Sequence, residues 1–146
     1  MSTRTFFITT VTARRKPIFS DDARARLLIE TLLHYRTEKK YEIHEFVVMP
    51  DHVHVLLTPS HEISLERAVQ FIKGGFSFRL RARGTVWQES FTNHHIRDER
   101  DFERHREYIR ENPVVAGLMK RKEEYPYGSW AIAGCADAPP AFRESA

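Results

Sequence analysis

Cysteine is nearly absent from this chain of 146 residues, with Cys135 standing alone. One thiol excludes an intramolecular disulfide and any zinc site built on cysteines, and it fits a reducing, cytoplasmic compartment. Long apolar runs are missing too. No stretch approaches the roughly 18 apolar residues of a membrane span, so no membrane is expected among the partners. The first ten residues hold a single arginine, Arg4, and no apolar block, which is not the pattern of a secretory leader. Net charge is small, at +3, which permits a nucleic-acid partner without demanding one. Internal repeats and composition breaks are also lacking. With 41% hydrophobic residues, the chain has the material for one domain with one core. That domain is expected over residues 1–130, with 131–146 a flexible C-terminal tail, since Gly134 onward is rich in alanine and carries Pro139-Pro140.

What is present reads as alternating elements. Thr5 to Thr12 is dense in β-branched and aromatic residues and predicts a strand. A basic turn follows at Arg14-Arg15-Lys16-Pro17. Ser20 is the expected cap of a helix reaching about Lys39, with Asp21 and Asp22 in its first turn and Leu27, Leu28, Leu32 and Tyr35 at helical spacing. Tyr41 to Met49 and Val53 to Thr58 predict a hairpin closed at Pro50-Asp51. Ser64 caps a second helix whose buried stripe is Leu65, Val69, Ile72 and Phe76. Gly74-Gly75 inside it implies a bend, an end or close packing, because each glycine costs about 1 kcal/mol there. A fourth strand falls within Trp87 to Arg97. Asp98 then opens a third helix, and Pro113 is expected to end it near Asn112. The order is that of an α+β, ferredoxin-like βαββαβ fold with an antiparallel sheet, plus an extra C-terminal helix.

Two features carry candidate chemistry. In a strand, His52 and His54 share a face, with Cα atoms about 6.7 Å apart, so both imidazoles can converge on one divalent cation. Val53, Val55 and Leu57 face the other way, toward the core. The same pair also occurs on exposed hairpin faces with no ligand role. In the third helix, Tyr108 and Asn112 are four residues apart and lie on one side, with His105 and Arg104. A phenol thus sits one turn from an amide oxygen able to serve as a ligand. Taken alone, Tyr108 reads first as an amphipathic residue that packs its ring and wets its hydroxyl.

Between Glu66 and Glu89 there is no acidic residue, whereas Lys73, Arg79, Arg81 and Arg83 are interleaved with Phe71, Phe76, Phe78 and Trp87. Cations neutralise phosphates and exposed aromatics stack on unpaired bases. The expected DNA contacts are Arg14, Arg15, Lys16, Lys73, Arg79, Arg81, Arg83, Trp87 and Arg97. Phe71 and Phe76 are expected in the core.

His52-Val53-His54 in a strand, Tyr108-Ile109-Arg110-Glu111-Asn112-Pro113 downstream, Met49-Pro50-Asp51 before the histidines and Trp87-Gln88-Glu89-Ser90-Phe91 together resemble the single-tyrosine HUH transposases. The likeness is to the REP-associated tyrosine transposases of the IS200-like superfamily, over residues 4–130. It implies the same βαββαβ sheet, with His52, His54 and Asn112 as ligands of Mg²⁺ or Mn²⁺ and Tyr108 as nucleophile. It also implies cleavage and rejoining of single-stranded DNA beside a hairpin through a 5′-phosphotyrosine link. Monomer and homodimer both stay open. Two other readings compete: a DNA- or RNA-binding protein that does not cut, and a metal hydrolase in which Tyr108 is structural.

Overall fold

The computed structural model describes residues 4–142. The elements are β1 (Phe6–Val11), α1 (Asp22–Thr37), β2 (Tyr41–Met49), β3 (His52–Pro59), α2 (Leu65–Leu80), β4 (Thr92–His95) and α3 (Glu99–Val115). The four strands form one sheet in the order β2-β3-β1-β4, and every pairing is antiparallel. This is the expected βαββαβ topology with its extra helix.

Strand alternation divides the sheet into two faces. Ile8, Ile43, Phe46, Val48, Val53, Val55 and Leu57 point to one side and pack with Leu28 and Leu32 of α1 and Val69, Ile72 and Phe76 of α2. Val47, Met49 and Leu56 point to the other and pack with Phe102 and Ile109 of α3. The sheet is therefore sandwiched between two helices and one. A β-bulge between Ile43 and Glu45 shifts the alternation of β2 by one residue. That shift turns the buried Glu45 carboxylate toward α3, where it accepts hydrogen bonds from Arg110 Nε (2.5 Å) and Arg106 Nε (3.4 Å) and, at its other oxygen, from the Ser129 hydroxyl.

Local signals behave as their chemistry requires, with small departures. Ser64 Oγ accepts from Arg67 N–H and Asp98 Oδ1 from Asp101 N–H, capping α2 and α3. The cap of α1 is Asp21 rather than Ser20, its carboxylate accepting from Arg24 N–H. Close packing explains Gly75, where a Cβ would lie 2.6 Å from the Tyr35 ring; at Gly74 it would meet only the end of the Gln70 side chain (3.0 Å). Helix α3 runs through Pro113 to Val115. A proline in the final turn removes only one intrahelical hydrogen bond, so it does not stop the helix at Asn112.

The stretch expected to be a flexible tail is packed over its described part. The chain after α3 runs along the open edge of β2, with Val48 N–H donating to Tyr127 O and the Tyr125 hydroxyl donating to Val48 O. Farther on, Cys135 is buried, Asp137 accepts from the Ile43 N–H and from both Arg36 Nε and Nη2, and Ala138 O meets His44 Nδ1. A composition rich in alanine and proline hid this, because the anchors are single residues, Cys135 and Asp137, and backbone groups. Residues 143–146 lie outside the described residues. Among those described, no helix is long and apolar enough to cross a membrane.

Candidate active site

The α3-facing side of the sheet is covered only in part. Phe7 and Thr9 of β1, His52 and His54 of β3 and His94 of β4 all point there by alternation, which the pairings Phe7↔His94 and Thr9↔His54 fix. Helix α3 crosses above them and lowers Asp101, His105 and Tyr108 toward the same cleft.

His52 and His54 come together as expected, with ring centroids 4.7 Å apart. Each is held by its Nδ1. His52 Nδ1 lies 2.6 Å from Asp51 Oδ1, and His54 Nδ1 lies 2.7 Å from Thr9 Oγ1. With a carboxylate as its partner, His52 Nδ1 is the donor, which leaves Nε2 as the atom that can serve a ligand. The Thr9 hydroxyl is able to serve His54 in the same way. His54 is buried, and burial, the main cause, together with the neighbouring His52 imidazole, pushes its pKa down to about 3. It is therefore neutral at neutral pH, the form a metal needs. An ideal strand would turn Asp51 away from the pair. Asp51 instead belongs to the tight turn, where alternation does not apply, and it bridges His52 to Arg15 (3.3 Å). Burial opposes its charge, but the hydrogen bond from His52 and then Arg15 hold its pKa below the ordinary value.

Tyr108 is 53% exposed, and its ring stands edge-on to His54 (5.5 Å) and to Phe7 (5.9 Å). Asn112 follows one turn later on α3 and is half-buried. The donor set fits a divalent cation: two imidazoles with free Nε2 atoms beside a phenol. A second group in the cleft also has ligand chemistry. His94, Asp101 and His105 bring ligand atoms within 4.8 Å of one another and could hold a metal ion. The sequence showed only part of this group, the Asp101–His105 spacing of four on a helix; His94 joins through the sheet.

The basic turn Arg14-Arg15-Lys16 lies at the end of the sheet that carries His52, whereas Arg97 lies beyond β4 beside Asp101. Ala13 N–H donates to Val86 O, and Gln88 N–H to Val11 O, so the basic turn and the loop after α2 lie side by side next to the hairpin. Arg14 and Arg15 both have positive φ (55° and 51°), a backbone region that non-glycine residues rarely occupy. Lys16 closes this turn, Arg81 caps α2 in the left-handed conformation, and Arg83 lies in the exposed loop beyond. Arg79 lies over the Tyr35 ring, and Phe78 beside it is 83% exposed. Two expected DNA contacts are engaged internally. Trp87 is buried between Phe19 and Phe76, with its indole N–H donating to Lys73 O, so it has no open face for a base. Lys73 Nζ donates to Gln88 O and Glu89 O, which ties α2 to the loop. The hydrophobic character of Trp87, placed beside a bridge to Thr12, outweighed its basic neighbours.

The family described as "Transposase IS200 like" matches residues 2–112. A REP-associated tyrosine transposase of Escherichia coli (strain K12) is 26% identical over 126 residues, covering 86% of this chain and 74% of that protein. In fold, the chain is similar to a solved REP-associated tyrosine transposase bound to a REP hairpin, with a TM-score of 0.78 and 22% identity over 100% of this chain and 94% of that one. With its sheet, its histidine pair and its tyrosine helix in this arrangement, the chain belongs to the IS200-like transposases, a family of DNA nicking and joining enzymes.

Proposed function

We propose that the protein cleaves and rejoins single-stranded DNA beside a hairpin-forming repeat, with Tyr108 as the nucleophile. The observation that carries this is the position of the exposed Tyr108 ring, edge-on to the neutral, oriented His54 in an open cleft. The phenolic oxygen forms a bond to phosphorus and gives up its proton. The bond from phosphorus to the 3′ oxygen breaks, leaving a 5′-phosphotyrosine link and a free 3′-OH. Attack by a 3′-OH on that link reverses the exchange, so rejoining needs no nucleotide cofactor.

His52, His54 and Asn112 would hold Mg²⁺ or Mn²⁺, which when bound neutralises phosphate charge and orients the scissile group. Asp51 and Thr9 keep the imidazoles oriented for this. Arg14, Arg15, Lys16, Arg79, Arg81, Arg83 and Arg97 supply phosphate contacts, and the exposed Phe78 offers a ring to an unpaired base. A hairpin partner is supported by the REP hairpin in the similar solved structure. The test uses labelled hairpin oligonucleotides with single-stranded flanks, incubated with Mn²⁺. A denaturant-resistant adduct forms with the native chain and is absent with Tyr108→Phe or with EDTA. DNA binding without any adduct would favour a binding protein, and cleavage without an adduct would favour a hydrolase.

A further inference from the structure

Beside Tyr108 the cleft widens into a cavity of about 480 Å³, inside the roughly 300–1,000 Å³ of small-molecule sites. Its wall is aromatic. The His94 and His105 rings are stacked 4.6 Å apart and 17° from parallel, and Phe7 lies 4.9 Å from His105. Its rim is cationic, with the Arg97 and Arg104 side chains 72% and 65% exposed. Behind both lies Asp101, its side chain only 2% exposed. The Asp101 carboxylate accepts from His94 Nε2 (2.8 Å), from the Arg97 backbone N–H (3.0 Å) and from Arg104 Nη2 (3.4 Å). One buried anion thus fixes a ring of the wall and a guanidinium of the rim before any ligand arrives.

The hydrogen bonding bears on what this cavity takes. Three N–H donors already occupy the Asp101 carboxylate, two of them on Oδ2. His105 Nδ1 sits 2.8 Å from the Asp101 carbonyl oxygen, a contact that requires the proton on Nδ1. A cation would have to displace these donors and lie beside two guanidinium groups. Two guanidinium charges against one carboxylate favour an anion at the rim instead.

We propose that this cavity is a nucleotide subsite. It takes the unpaired nucleotide adjoining the phosphate that Tyr108 attacks, stacking the base on the His94 ring, which His105 backs, and holding its phosphate with Arg97 and Arg104. The inference rests on Tyr108 as nucleophile and adds a position-specific contact, so the protein reads one nucleotide next to the cut.

Binding is measured on Tyr108→Phe protein in EDTA, so that no metal-dependent cleavage intervenes whichever residue is the nucleophile. The probes are fluorescent hairpin oligonucleotides, selected by binding, with one abasic position moved through the single-stranded flank. One abasic position weakens binding about tenfold, the scale of a lost base–aromatic stack. His94→Gln, which keeps a donor for Asp101, weakens binding to the intact strand by about the same factor and has no further effect on that abasic strand. Arg104→Gln weakens all strands alike and lowers the salt slope by about 1. Equal sensitivity at every position, or additive effects of His94→Gln and the abasic site, would overturn the proposal. So would loss of Mn²⁺ binding in His94→Gln with DNA affinity unchanged, which would make the triad a metal centre.

Discussion

Asp51 and Thr9 decide which nitrogen each site histidine has left to offer. Their contacts to the two Nδ1 atoms orient the rings and free Nε2 on both. Asp51→Ala is therefore expected to weaken Mn²⁺ binding by about 10- to 100-fold, read by isothermal titration calorimetry, while the fold persists. An unchanged affinity would show that Asp51 serves only its contact with Arg15. The histidine pair itself was legible, because strand alternation is rigid enough to put His52 and His54 on one face. Asp51 was not, because it sits in the turn where that rule lapses. Trp87 was misread for a related reason: a basic neighbourhood in sequence says nothing of which side chains turn inward.

Helix α3 carries Tyr108, and the buried Glu45 ties that helix to the sheet through Arg106 and Arg110, two residues before and two after the tyrosine. These arginines are about 200° around the helix from Tyr108, so they grip the sheet side and leave the phenol in the cleft. Glu45→Gln leaves two partly buried cations with a weaker partner. The expected loss is about 1–3 kcal/mol of stability, read from the urea midpoint, and no loss would mean that the apolar contacts of Phe102 and Ile109 alone set the helix. The helix and its cap at Asp98 could be read from the sequence. The bulge that aims Glu45 could not, since one extra residue in a strand leaves no periodic mark. The cluster of His94, Asp101 and His105 was likewise hidden, as it joins a strand to a helix through the fold.

On the scale of the whole molecule, β2 would be an open sheet edge without the segment that follows α3. Residues 125–138 cover it and close onto α1 through Asp137 and Arg36 (2.9 Å). The bond from Arg36 holds the Asp137 carboxyl below its ordinary pKa; burial opposes this, and the Ile43 N–H assists. A lowered folded-state pKa stabilises the fold above the unfolded value of about 4, and that contribution is lost as pH falls through the folded value. Asp137→Asn is expected to cost about 1–3 kcal/mol near neutral pH, with the difference from the native chain vanishing in acid. Denaturant titrations between pH 2 and 7 check this, and a difference independent of pH would contradict it.

The most direct test of the central claim is to find the atom that takes the DNA. The native chain is incubated with hairpin oligonucleotide and Mn²⁺, digested with trypsin and nuclease, and the nucleotide-bearing peptide is sequenced by mass spectrometry. The account predicts a phosphodiester on Tyr108, within the peptide Glu107-Tyr108-Ile109-Arg110. A nucleotide on any other residue, or an adduct that persists in Tyr108→Phe, would contradict it.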